Sequence, residues 1–178
     1  MTILSNFKLQ NLLFCCATLF ACALAVPIAA VESPGDKITE IIKSCPWIGL
    51  VAEEVTYGPI TISKLDIAHA GRLVFCKPAE KIEGTLKYKI DADKLDSWEF
   101  HHIIVGLRKQ DAQSCITHSL GVWNKKGKAS FSFNAPVEKG IYELCFDYYE
   151  ATLCSDALKQ WLDNPPAHRA TIGIVVVD

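Results

Sequence analysis

The side chains with the richest chemistry in this sequence are two adjacent histidines, His101 and His102, and the short motif Cys115-Ile-Thr-His118. Imidazole nitrogens and a thiolate can ligate a borderline-soft metal, and they can also form a nucleophile–base pair. Both readings meet geometric objections. Phe100 to Leu107 reads as a strand, and adjacent strand residues point to opposite faces, so His101 and His102 cannot grip one ion together. Only one of them could join His118 or Cys115 from a neighbouring strand. A structural zinc site would add paired Cys-x-x-Cys spacings, which the chain lacks. A serine hydrolase would need a nucleophile beside a base and an orienting acid, and no serine sits in a Gly-x-Ser-x-Gly elbow. The plainer reading is a pair of satisfied strand histidines. No catalytic residue, metal or other cofactor is therefore expected; His101, His102, His118 and Cys115 are the candidates should a metal be bound.

Two further groups have plain readings beside sharper ones. Asp91, Asp93, Asp96 and Glu99 lie in one acidic turn, but an EF-hand would need a central glycine and a distal bidentate glutamate. A solvated turn between strands accounts for them. Large aromatics in a domain of this size belong mostly to the core. Trp98 and Trp123 lie beside turns, which makes them the candidates for stacking on a glycan or contacting a protein.

The elements that position these residues depend on the compartment. From Leu12 to Val31 no charged residue occurs, and the short head before it carries one basic side chain, Lys8. A basic head, an apolar middle and a small-residue exit predict a signal peptide over residues 1–25. Ala23-Leu-Ala25 would serve as a cleavage site, whereas Leu19-Phe-Ala-Cys22 resembles a lipobox. Uncleaved, the run is just long enough to span a bilayer. Removing 1–25 leaves 153 of the 178 residues and takes the formal net charge from −2 to −3. A mildly acidic product without a basic cluster argues against nucleic acid, and a membrane is engaged only through the N-terminal segment.

Five cysteines follow residue 25: Cys45, Cys76, Cys115, Cys145 and Cys154. Outside the cytoplasm they imply two disulfides and one remaining thiol, with roughly fifteen possible pairings. Cys115 begins a strand and Cys154 opens the segment before Trp161, so these two are expected to pair, stapling that segment to a sheet. A Cys145–Cys154 bridge across a hairpin stays open, and Cys45 and Cys76 are the other candidates.

Periodicity supplies the rest. Ile38, Ile41, Ile42 and Cys45 form one helical stripe, with Asp36 as N-cap and Pro46 as stop, predicting a short N-terminal helix within residues 26–57. Beyond residue 58 the period becomes two, in Pro59–Ser63, Thr85–Ile90, Ser130–Asn134 and Tyr142–Tyr148. Phe100–Leu107 and Thr171–Val177 are nearly apolar throughout and suit central strands. Ala157, Leu158, Trp161 and Leu162 recur at helical spacing after Ser155, read as an N-cap, giving a short helical turn before the last strand. The fold class is all-β, an antiparallel sandwich of about 7–8 strands over residues 58–178.

From about residue 82 to 177 the chain carries Phe-Ser-Phe-Asn-Ala-Pro136, Lys-Gly-Ile-Tyr-Glu-Leu-Cys145, Trp161, Asn-Pro-Pro166 and the closing Ile-Gly-Ile-Val-Val-Val. This pattern resembles immunoglobulin-like β-sandwich modules of bacterial exported and surface proteins. The resemblance implies the fold and an extracytoplasmic setting, and no activity. The expectation is an exported, non-enzymatic protein that works by adhesion or by binding a protein or glycan, at the cell surface or in the periplasm. The alternatives are a small metal-binding protein or enzyme built on His101 or His102, His118 and Cys115, and a structural envelope subunit.

The compartment is directly testable. Residues 1–35 fused to a reporter that is active only after export should give signal, and a reporter active only in the cytoplasm would remove the basis for the disulfides.

Overall fold

The computed structural model describes residues 52–95, 100–120 and 126–178, with the backbone alone for 117–120. The expected signal peptide, the N-terminal helix, Cys45, Trp98 and Trp123 lie outside the described residues, as do Asp96 and Glu99. Within them the chain is mostly β, arranged as two sheets. The strands are β1 (Glu54–Tyr57), β2 (Ile60–Ile67), β3 (Leu73–Cys76), β4 (Lys81–Ile90), β5 (Phe100–Leu107), β6 (Gln113–Leu120), β7 (Lys126–Asn134), β8 (Gly140–Glu150) and β9 (Thr171–Val177). One helix, α1 (Cys154–Asp163), lies between β8 and β9.

The four-stranded sheet runs β1-β2-β4-β7 and the five-stranded sheet β3-β9-β8-β5-β6. One core joins them. Ile60, Ile62, Ile82, Leu86, Phe131 and Phe133 come from the first sheet, and Ile103, Val105, Leu107, Leu144, Phe146 and Val175 from the second. The alternation in β7 and β8 translates directly into this packing. Phe131 and Phe133 face inward from one sheet, and Leu144 and Phe146 from the other, with Tyr142 partly buried at the margin. Gly84 sits opposite Phe131 in the β4–β7 register, where a Cβ would overlap the Phe131 ring. The absent side chain makes room for the aromatic one.

Several local features depart from the expected pattern. The short strands β1 and β3 hold four residues each, too few to display a period. β1 also lies ahead of residue 58 yet pairs with β2. β3 runs parallel to β9, with Leu73 opposite Ile174, so the structure is not wholly antiparallel. The chain leaves β2 in one sheet and crosses to the edge of the other, where it runs alongside the last strand. A bulge between Ser63 and Asp66, with Lys64 at φ 52°, adds one residue to β2 and turns Leu65 and Ile67 inward after Ile60 and Ile62.

β5 and β9 occupy central positions, as their apolar composition requires, and almost every residue in them is buried. α1 supplies cover for part of the outer face of their sheet. It extends for ten residues, more than the turn or two expected, and its N-cap is Leu153 with no side-chain cap, not Ser155. The helix therefore starts two residues earlier than a Ser155 cap would place it, at the bridged Cys154. Ala157 and Trp161 are fully buried, Leu158 packs at the margin, and Leu162 is about half exposed.

Deleting a ring this deeply buried leaves a cavity that costs about 3–5 kcal/mol, a large share of a domain's typical 5–15 kcal/mol. Phe146→Ala should therefore unfold the protein or lower its melting temperature sharply, while Lys87→Ala on the solvent face of β4 should be nearly silent. Thermal melts of both variants decide, and a Phe146→Ala variant that melts like the parent would overturn the β8 register.

Candidate functional site

Chemistry-bearing side chains gather on the outer face of the five-stranded sheet, beneath α1. His102 and Ile104 lie on that face of β5, whereas Ile103 and Val105 point into the core. Cys115 stands opposite Ile104 on β6, one diagonal step from His102, because a bulge between Ile103 and Ile104 adds a residue to β6. Cys115 forms a disulfide with Cys154, the first residue of α1, with Cα atoms 6.2 Å apart. The bridge closes a separation of 39 residues. In the chain-entropy description a loop of that size contributes about 4 kcal/mol.

His102 is buried against this bridge. Its Nε2 lies 2.9 Å from the Ala151 carbonyl oxygen, which can only accept, so Nε2 carries the proton. In the neutral ring the other nitrogen, Nδ1, is the acceptor, and it lies 3.7 Å from Cys115 Sγ. His102 Nδ1 or Nε2, Cys115 Sγ and Cys154 Sγ fall within 4.8 Å of one another. His101 faces the opposite side, as strand geometry demands. Its ring lies 5.8 Å from that of Tyr148, and its Nδ1 is 4.0 Å from Glu150 Oε1. The register sets position 118 opposite His102 along the backbone, and the His118 side chain is outside the described residues.

The remaining described cysteines behave differently. Cys76, expected as a disulfide candidate, is a free thiol on the inward face of β3 and reaches the Val176 carbonyl oxygen at 3.6 Å. Its position in the core sets it apart from the bridge, and burial, followed by Glu80 and Asp178, raises its pKa. Cys145 is also free, and burial pushes its thiol up to about 12. Both thiols stay protonated and poorly nucleophilic. Cys145 shares the outer face with the Cys115–Cys154 bridge, but the bridge does not include it.

Next to this cluster lies a polar network that alternation alone could not reveal. Glu143 occupies the polar phase of β8 and yet is buried. Its carboxylate accepts from Thr171 Oγ1 at 2.6 Å and pairs with His168 Nδ1 at 2.7 Å, and Arg108 Nη1 lies 3.7 Å away. Arg108 Nε donates to the Pro166 carbonyl oxygen at 2.8 Å. Tyr149 Oη donates to the Asn164 carbonyl oxygen at 3.0 Å, and Trp161 Nε1 to that of Gln110 at 3.2 Å. These bonds fasten α1 and the chain after it onto the sheet. Their arrangement is that of a buried tie, with carboxylate, cation and hydroxyls satisfying one another.

The acidic turn after β4 carries an ion pair between Asp91 and Lys94 at 3.2 Å, and hydrogen bonding to Lys94 holds the Asp91 carboxyl below its ordinary value. No protein-family model matches this chain, and no curated protein is significantly similar to it.

Asp147, also in the outward phase of β8, is desolvated enough to raise its pKa from 3.8 to about 6, despite accepting from the Tyr148 amide. The folded state therefore holds a proton that the unfolded chain releases between about pH 4 and 6. Stability should fall as pH rises through that window and level off above it. Asp147→Asn should abolish this fall and melt a few degrees above the parent at about pH 7.5. Melting curves for both proteins from acid to neutral pH check this; parallel curves would show that the carboxyl is not desolvated.

Proposed function

We propose that this chain is an exported, non-enzymatic, immunoglobulin-like β-sandwich module that works by adhesion or partner binding outside the cytoplasm. The strand order supports the fold assignment. β2, β4 and β7 stand in one sheet in the order of strands A, B and E, and β9, β8 and β5 stand in the other in the order of G, F and C. β3 alongside β9 and β6 beyond β5 extend the second sheet in the manner of the larger members of that architecture. The disulfide departs from the pattern, since it ties a helix to a sheet and not one sheet to the other. A disulfide at this position also suits an oxidising compartment, in keeping with the apolar N-terminal run.

One observation carries the binding assignment: the two outer faces differ. That of the five-stranded sheet is covered by α1 across β5, β6 and β8, whereas the four-stranded sheet presents Glu83, Lys87, Ser130 and Ser132 to solvent and Thr85 in part. At one end of that sheet an open groove of about 840 Å³ is lined by Asp66, His69, Lys81, Glu83, Ser130 and Ser132. Hydroxyls and charges of both signs in a shallow groove suit a polar partner, a glycan or a protein surface, better than an apolar small molecule.

The full chain, immobilised, should bind at least one member of a panel of glycans and purified extracellular proteins. A Lys81→Glu/Ser132→Arg variant should bind that member more than about tenfold more weakly, with an unchanged melting temperature. Binding indifferent to the double substitution would overturn the groove, and no binding across the panel would leave a structural subunit as the better reading.

A further inference from the structure

We infer that the His102–Cys115–Cys154 cluster is a latent site for a thiophilic d10 cation, Cu(I) or Zn(II), locked while the disulfide is formed and opened by reduction. The inference stands independently of the adhesion reading. It begins with the tautomer of His102. Because Nε2 donates to the Ala151 carbonyl at 2.9 Å, the Nδ1 lone pair is the one directed toward Cys115 Sγ. A metal-binding imidazole is ordinarily held in this way, with its second nitrogen donating to a backbone carbonyl or carboxylate. Here that second contact is already made, and the His102 ring is buried.

The distances fit a metal centre. With metal–sulfur bonds of about 2.3 Å and metal–nitrogen bonds of about 2.0–2.1 Å, sulfur and nitrogen on one ion stand about 3.5 to 3.8 Å apart, from tetrahedral to trigonal angles. Cys115 Sγ and His102 Nδ1 are separated by 3.7 Å. The sulfur–sulfur separation must open and Cys154 Sγ, within 4.8 Å of the imidazole nitrogen, must settle at bonding geometry, and Cα atoms 6.2 Å apart leave two thiolates room to rotate onto one ion. Two thiolates and one imidazole suit three-coordinate Cu(I), while Zn(II) would take a water as fourth ligand.

A dithiol reductant opens the site. One of its thiolates attacks a bridge sulfur, forming a mixed disulfide and releasing the other cysteine; its second thiol then closes a ring. Two electrons pass to the bridge, the reductant leaves as its cyclic disulfide, and Cys115 and Cys154 each gain a proton. Cys154 at the N-terminus of α1 is the better leaving group, because the helix dipole stabilises its thiolate. The entering cation displaces both thiol protons to solvent and bonds to the two sulfurs and to Nδ1. Cys76 and Cys145 are no substitute, since among the described residues only His102, Cys115 and Cys154 bring their ligand atoms within 4.8 Å of one another.

The test uses the full chain, reduced anaerobically and titrated in separate arms with Cu(I) and with Zn(II). Native mass spectrometry should show one ion bound tightly to reduced protein and none to oxidised protein. X-ray absorption of the wild-type complex should resolve two sulfur ligands and one imidazole nitrogen. His102→Asn should weaken binding more than about 100-fold, beyond the loss typical of an outer-shell change, and Cys115→Ser/Cys154→Ser should abolish it. The absorption measurement needs no variant, so a misfolded substitution leaves the result decidable. A shell without imidazole, equal binding to the oxidised form, or full affinity in a folded His102→Asn protein would each overturn the site.

Discussion

The five-stranded sheet carries apolar side chains on both faces, and most of the structure follows from the need to cover them twice. On the inner face the other sheet does this, with Phe131 and Phe133 set against Leu144 and Phe146. On the outer face Ile104 and Cys145 would meet water if α1 did not bring Ala157 and Trp161 over them. A ten-residue helix is marginal on its own, so its stability has to come from this docking and from its ties to the sheet. The disulfide at its first residue and the Trp161 indole bond to the Gln110 carbonyl hold it near both ends.

The cover changes the meaning of the polar residues beneath it. On a solvated face Glu143 and Asp147 would be ordinary strand carboxylates. Under the cover, Glu143 is stabilised by Thr171, His168 and Arg108, while Asp147, which accepts from its neighbouring amide, has a raised pKa. Removing Glu143 would leave the mostly buried Arg108 guanidinium with its Pro166 carbonyl but without this carboxylate, which is costlier than the network's net contribution. The same cover lies over His102 and the bridge, so the atoms of this cluster are also structural ties.

Period-two alternation located β4, β7 and β8 and their inward faces, because each of these strands has one face on the core. Unbroken apolar runs located β5 and β9 for the opposite reason, being buried on both. The opposition of His101 and His102 also followed from strand geometry alone, and the Cys115–Cys154 pairing from the need to fasten an irregular segment. Other features had no local signal. β3 is set by a partner about a hundred residues away, Leu73 facing Ile174, and four residues carry no readable period. The burial of Glu143 could not be read from β8, since alternation reports which face a residue occupies and not what covers that face. Capping chemistry points to Ser155 as the N-cap, whereas the cap is Leu153, which makes no side-chain cap bond and so carries no sequence signal.

The last strand has neighbours made at very different times. β9 lies between β3 and β8, so its residues must join partners synthesised just before them and others synthesised near the beginning of the described chain. Until Val177 has emerged, β3 has no ladder to join and the core lacks Ile172, Val175 and Val177. Closure of this sheet is therefore a late, long-range event, of the kind that slows folding because distant segments must meet before their contacts count. A nascent chain lacking β9 would leave β8 as the unpaired edge of a β8-β5-β6 sheet until β9 has emerged.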